Sequence, residues 1–169
     1  MDPQDKGGGR VNAVITNGYA AKRAIIDHLK EVAGRGQGAL GQAKVSYAWG
    51  EGGTTELVSV FGGLVSFVHP GEEDLHDGND VLVKETATVS VHIRAAVNPP
   101  PEGGLEAVEE LVEQIGDEIA DEVARNPHMA GGHSTARIVD GTGDQEPLDD
   151  ALAARLSIHI SVDSYLTPS

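Results

Sequence analysis

The chain has 169 residues, with 27 Asp or Glu against 12 Lys or Arg, a formal net charge of -15 and no cysteine. That length is one ordinary domain, able to bury about 70% of the surface its unfolded form would expose. The missing thiols exclude disulfides, thiolate zinc sites, iron–sulfur clusters and cysteine nucleophiles, and the surplus of carboxylates repels phosphates, which argues against sequence-specific DNA or RNA binding.

The opening residues 1–10, MDPQDKGGGR, are polar and carry no apolar leader, and are expected to form a flexible N-terminal segment. No stretch reaches the ~18 apolar residues of a membrane span, so the expectation is a soluble chain made in the cytoplasm, with no membrane partner. Val11, Val14, Ile15, Ala21, Ile25, Ile26, Leu29 and Val32 then recur at threes and fours and predict a helix over roughly 11–33. Gly34 suits its C-cap, because glycine enters the left-handed conformation without a Cβ penalty.

Gly36, Gly38 and Gly41 follow, spelling GxGxxG within GRGQGALG. A dinucleotide cradle needs a strand running into the glycines and a helix leaving them, so that helix N-terminal N–H groups face the pyrophosphate. Here a helix leads in, and KVSYAW, alternating Val45, Tyr47 and Trp49, leads out as a strand. The order is inverted, and the reading is a flexible helix-to-strand loop without a nucleotide or any other cofactor.

Leu57 to Val68 is dense in β-branched and aromatic residues and predicts a strand bent or bulged at Gly62 and Gly63. GEEDLHDGND is a polar excursion. From Thr88 to Val97, Val89, Val91, Ile93 and Ala95 alternate with Thr88, Ser90, His92 and Arg94, which predicts a long strand with one wet face. The prolines of NPPPEGG stop it. Leu105, Val108, Leu111, Val112, Ile115, Ile119 and Val123 then predict a second helix ending near Asn126 and Pro127. Glu106, Glu109, Glu110, Glu113, Asp117, Glu118, Asp121 and Glu122 occupy its other face, with like charges at i,i+4 that cost a few tenths of a kcal/mol per pair. STARIVDG reads as a short strand, GTGDQEPLDD as an acidic loop, and Leu156, Ile158, Ile160 and Val162 as the inward face of a closing strand. The sum is an α+β fold: a single domain across 1–169 with a mostly antiparallel sheet of about four or five strands flanked by two main helices.

Chemistry finds little footing. His69, Glu72, Glu73, Asp74, His76, Asp77 and Asp80 offer imidazole and carboxylate ligands for zinc or manganese, but their spacing matches no metal motif. Asp140, Thr142 and Asp144 echo a calcium loop that then fails, with Gln145 and Ala151 where glycine and glutamate are needed. His92 and His159 fall on polar strand faces, where exposed histidines are ordinary, and no nucleophile elbow places a serine for catalysis.

The layout as a whole resembles the tail-terminator (tail-completion, lambda minor tail protein U-like) family of long-tailed bacteriophages. The residues that carry the resemblance are the helix AAKRAIIDHLKEVA, the strand and turn WGEGGTTELVSVFGG, the strand TATVSVHIRAAV, the helix LEAVEELVEQIGDEIADEVARNP, and the ending RIVDG with ALAARLSIHISVDSYL, spanning roughly 11–166. The resemblance implies a structural virion protein, not an enzyme. It would form a hexameric ring that terminates the tail tube and joins it to the neck, with the tail-tube protein, the head-tail connector and other copies of itself as partners. DNA would pass through such a ring without sequence-specific grip, which gives the acidic charge a second reading beside solubility: a repulsive lumen wall. Glu109, Glu113, Asp117 and Asp121 are the candidates for a lumen or interface surface. A head-closure or connector protein, or a tail-tube subunit, is the neighbouring alternative. A small metal-dependent enzyme built on the 69–80 loop is the alternative from another class.

Overall fold

The computed structural model describes residues 3–49, 58–68, 83–97, 104–131, 134–147 and 152–166. Helix α1 (Pro3–Gly34) leads through a 3-10 turn (Leu40–Gln42) to β1 (Lys44–Ser46), followed by β2 (Val58–Val68), β3 (Val83–Val97), α2 (Leu105–Arg125), β4 (Ser134–Pro147) and β5 (Leu152–Leu166). The five strands form one sheet in the order β1-β2-β3-β5-β4. Only the β1–β2 pair is parallel. This is the expected α+β architecture.

Both helices lie on one face of the sheet. The alternation in β3 and β5 sends Val89, Val91, Ile93, Ile158, Ile160 and Val162 toward them, and α1 answers with Ile25, Ile26 and Leu29 while α2 supplies Val108, Val112, Ile115 and Ile119. Each such side chain contributes about 1.5–3 kcal/mol by leaving water. α1 packs over β1, β2 and β3, and α2 over β3, β5 and β4. Close approach is required where α2 crosses the sheet: a Cβ on Gly116 would fall 2.6 Å from Leu156 Cδ2.

Several boundaries differ from those expected, and β3 starts at Val83, five residues before Thr88. α1 begins at Pro3 rather than near residue 11, because helical hydrogen bonding does not require the apolar stripe by which the pattern locates a helix. β1 is only three residues long, so Tyr47 and Trp49 lie beyond it. Gly141 to Pro147 of the expected acidic loop are instead the second half of β4, paired with β5 from Gly141↔Ile158 to Pro147↔Leu152, and the rest of that loop lies outside the described residues. The edge of β5 from Leu152 to Ile158 would otherwise lack partners, and pairing it outweighs the weak strand preference of Gly141, Gly143 and Asp144. The irregularities sit where β2 was expected to bulge, between Gly62 and Val65, and in β4 between Ile138 and Asp140.

Candidate functional site

The glycine-rich loop holds an anion, and that anion is the chain's own. Gly36 and Gly38 take φ of 70° and 68°, which turns the backbone at the end of α1. The Ala39 N–H donates to Glu118 Oε2 at 2.8 Å and the Leu40 N–H to Glu118 Oε1 at 3.2 Å. Glycine is required for contact as well as conformation, since a Cβ on Gly38 would lie 2.3 Å from Glu118 Oε1 and one on Gly41 would lie 2.6 Å from the Gly36 carbonyl carbon. The backbone donors that would face a phosphate in a nucleotide cradle are thus engaged in tying α2 to the loop.

That contact splits the acidic face of α2. Glu118 and Glu122, both grouped with the exposed acids by the sequence pattern, turn toward α1 and its loop, where His28 Nε2 meets Glu122 Oε2 at 3.0 Å and Asn126 Nδ2 donates to the same carboxylate. The four candidate residues do not share one environment either. Each i,i+4 step advances about 40° around a helix, so the series from Glu109 to Asp121 winds through about 120°. Glu109 and Glu113 border a groove of about 250 Å³ between α2 and the β4–β5 pair, floored by Val112, Ala154 and Leu156. Asp117 is exposed on the crest. Asp121 lies 3.7 Å from Arg125 and lines a separate cleft with Arg35 and Gly38.

The face of the sheet turned away from the helices carries charges of both signs, with three of its basic residues gathered in one row. Strand register aligns Lys44, Ser59, Arg94, Arg155 and Asp144 in one row across all five strands. Arg94 and Arg155 stand directly opposite each other, an arrangement of like charges that disfavours the pairing. Arg155 donates to Asp144 at 2.7 Å, and that contact, first of its causes, holds the Asp144 carboxyl below its usual range. Beside the row, Trp49 packs against Phe61 at 5.1 Å, Phe61 against His92 at 5.3 Å, and the Arg94 guanidinium lies 5.5 Å over the Trp49 ring. Trp49 remains 56% exposed.

This face is less wet than the alternation suggested: Ser90 is 7% exposed, and His92 and Arg94 are half-buried among their cross-strand neighbours. His92 Nδ1 meets Ser157 Oγ at 2.8 Å, and His159 pairs with Asp140. Burial, then the charges of Arg155, His159 and Lys22, push the His92 pKa down, so its imidazole is held neutral. Although His92 and Ser157 are at the distance of a base and a nucleophile, Ser157 lies in regular register mid-strand and the other ring nitrogen of His92 is packed against Gly63. That is a hydrogen bond across a sheet. Lys22 reaches the bulge from α1, donating to the Gly63 carbonyl at 2.9 Å beneath the Tyr47 ring.

Asp140, Thr142 and Asp144 follow one another on the outward side of β4, paired to β5, not around a loop. Among the described residues no three His, Asp or Glu side chains converge as a metal site, and the 69–80 cluster lies outside the described residues. No protein-family model matches the chain, and no curated protein matches it either.

Proposed function

We propose that the chain is a structural protein of a long-tailed bacteriophage particle, forming a ring that terminates the tail tube and joins the tail to the neck. The observation that supports this best is the distribution of charge over the sheet: the helix-bearing side presents the carboxylates of α2, and the other side presents a basic row beside an exposed tryptophan. Surfaces that are complementary but lie on opposite sides of one subunit favour repeated head-to-tail contacts, and such contacts make a ring when the rotation between subunits closes. The resemblance in layout supplies the ring's place, with the tail-tube protein on one side and the head-tail connector on the other. Carboxylates outside the subunit contacts keep the DNA conduit repulsive, so the genome passes without being gripped.

The test is genetic and visual. Particles made without this protein should show tails of uncontrolled length, or tails and heads left unjoined, in electron micrographs, and normal particles would overturn the assignment. The neighbouring readings predict different outcomes: a tube subunit polymerises without limit when purified, and a connector leaves tail length unchanged when removed. Stoichiometric zinc or manganese in the purified protein would instead favour an enzyme built on the 69–80 loop.

A further inference from the structure

We propose that Trp49 and Arg94 of one copy seat in the groove between α2 and the β4–β5 pair of a second copy. This deepens the ring reading by naming the subunit contact. Only the closure of the contacts into a ring rests on that reading, because the contact itself is argued from charge and shape.

The groove is about 250 Å³, a little below the about 300–1,000 Å³ typical of small-molecule sites and suited to a single large side chain. Its origin is local. The helix-facing positions of β4 opposite Ile158 and Leu156 are Gly141 and Gly143, which place no side chain beneath the edge of α2. Val112, Ala154 and Leu156 make the floor apolar, and Glu109 and Glu113 give it a net negative charge, since Asp144 and Arg155 at its other border are paired with each other.

Trp49 has the complementary properties. It is the chain's only tryptophan, it is 56% exposed although it stands on ordered aromatic neighbours, and it carries the Arg94 guanidinium over its ring. An aromatic side chain with an adjacent cation matches an apolar groove rimmed by carboxylates, where the ring leaves water and the cation gains acidic neighbours. Lys44, in the same cross-sheet row, adds to the positive side.

Trp49 stands beside Phe61, His92 and Arg94 over β2 and β3, whereas the groove lies against α2 at the β4–β5 edge, so a subunit cannot fill its own groove with its own Trp49. The contact is therefore between copies and head-to-tail: each copy offers one knob and one groove, and a pair joined this way still has one of each unused.

The test uses purified full-length chain without phage components, so its failure stays distinct from failure of the tail-terminator reading, which particles decide. In sedimentation velocity the wild-type mass should rise with protein concentration and fall again with added salt, and Trp49 emission should move to shorter wavelength as mass rises. A knob variant, Trp49→Ala with Arg94→Gln, and a groove variant, Glu109→Lys with Glu113→Lys, should each remain monomeric. Mixed in equal amounts, they should form a heterodimer and nothing larger, because one intact groove and one intact knob remain between them. Thermal melting establishes that both are folded, and Trp49→Lys alone serves as the knob variant if the double change is not. A wild type that stays monomeric at every concentration overturns the proposal, as do variants that assemble like wild type or a mixture that gives no heterodimer. So does quenching of wild-type Trp49 by a single-stranded oligonucleotide without any gain in protein mass, which would assign this face to nucleic acid instead.

Discussion

Gly38 and Glu118 are in contact across the junction of the two helices: a Cβ at residue 38 would lie 2.3 Å from Glu118 Oε1, in a backbone already at φ 68°. The loop and the carboxylate form one unit, and removing either side should weaken the domain. Glu118→Ala leaves the Ala39 and Leu40 N–H groups without their acceptor and should cost about 1–3 kcal/mol. Gly38→Ala should be destabilising as well, through both strain and collision, whereas Glu118→Gln, which keeps an oxygen acceptor, should cost less than Glu118→Ala. Urea denaturation ranks the three. Adding a dinucleotide should leave the wild-type melting temperature unchanged, and a clear rise would show that the glycines can open to bind phosphate.

How far the sequence reveals this molecule depends on whether a feature is local. The stripe of Ile25, Ile26 and Leu29, the alternation of Val89, Val91 and Ile93, and the bulge at Gly62 and Gly63 are local periodicities, and the structure bears them out. The partners of Glu118 are not legible, because Ala39 is 79 residues away and the acidic pattern of α2 gives no sign which carboxylates turn inward. The same limit hides the basic row. Lys44, Arg94 and Arg155 are far apart along the chain, and only strand order and register bring them into line. β4 was half-legible, since its GTGDQEP segment has a loop's composition and is a strand only by virtue of β5 beside it.

His92 makes stability depend on pH in a definite direction. Its pKa lies below the ordinary ~6.5 in the folded chain, first because of burial and then because of Arg155, His159 and Lys22, so the unfolded chain binds its proton more readily. The stabilisation is therefore complete above about 6.5 and is lost as pH falls toward the lowered folded value. Urea midpoints between about pH 5 and 8 should fall on the acid side, and His92→Gln should flatten that slope. An unchanged slope in the variant would remove His92 as its source.

Ile158 and Ile160 are 4% and 0% exposed and face the helices from β5. Aspartate at either position would bury an unpaired charge, at a cost of several kcal/mol against a total stability of about 5–15 kcal/mol. Circular dichroism should show both variants unfolded or melting far below wild type, and a native melting profile would contradict the assignment of this face to the core.

Changing Glu109, Glu113, Asp117 and Asp121 together to glutamine or asparagine should leave the fold intact. Relief of i,i+4 repulsion should stabilise it slightly, with the loss of the Asp121–Arg125 contact, an exposed pair of small worth, partly offsetting the gain. Assembly should be impaired, and the difference from wild type should shrink at high salt, where charges are screened within a few ångströms. Because Glu109 and Glu113 border the groove while Asp121 lies elsewhere, the pair alone should reproduce most of the defect. Infectivity and DNA ejection equal to wild type at every salt concentration would return this face to an ordinary solvated surface.

The most direct test of the tail-terminator account is cryo-electron microscopy of intact particles with this chain tagged at its N-terminus. The account predicts a single hexameric ring at the head-proximal end of the tail tube, with the basic row of each subunit turned toward α2 of the next. Density repeating along the tube, or no density at the junction between tail and neck, would contradict it.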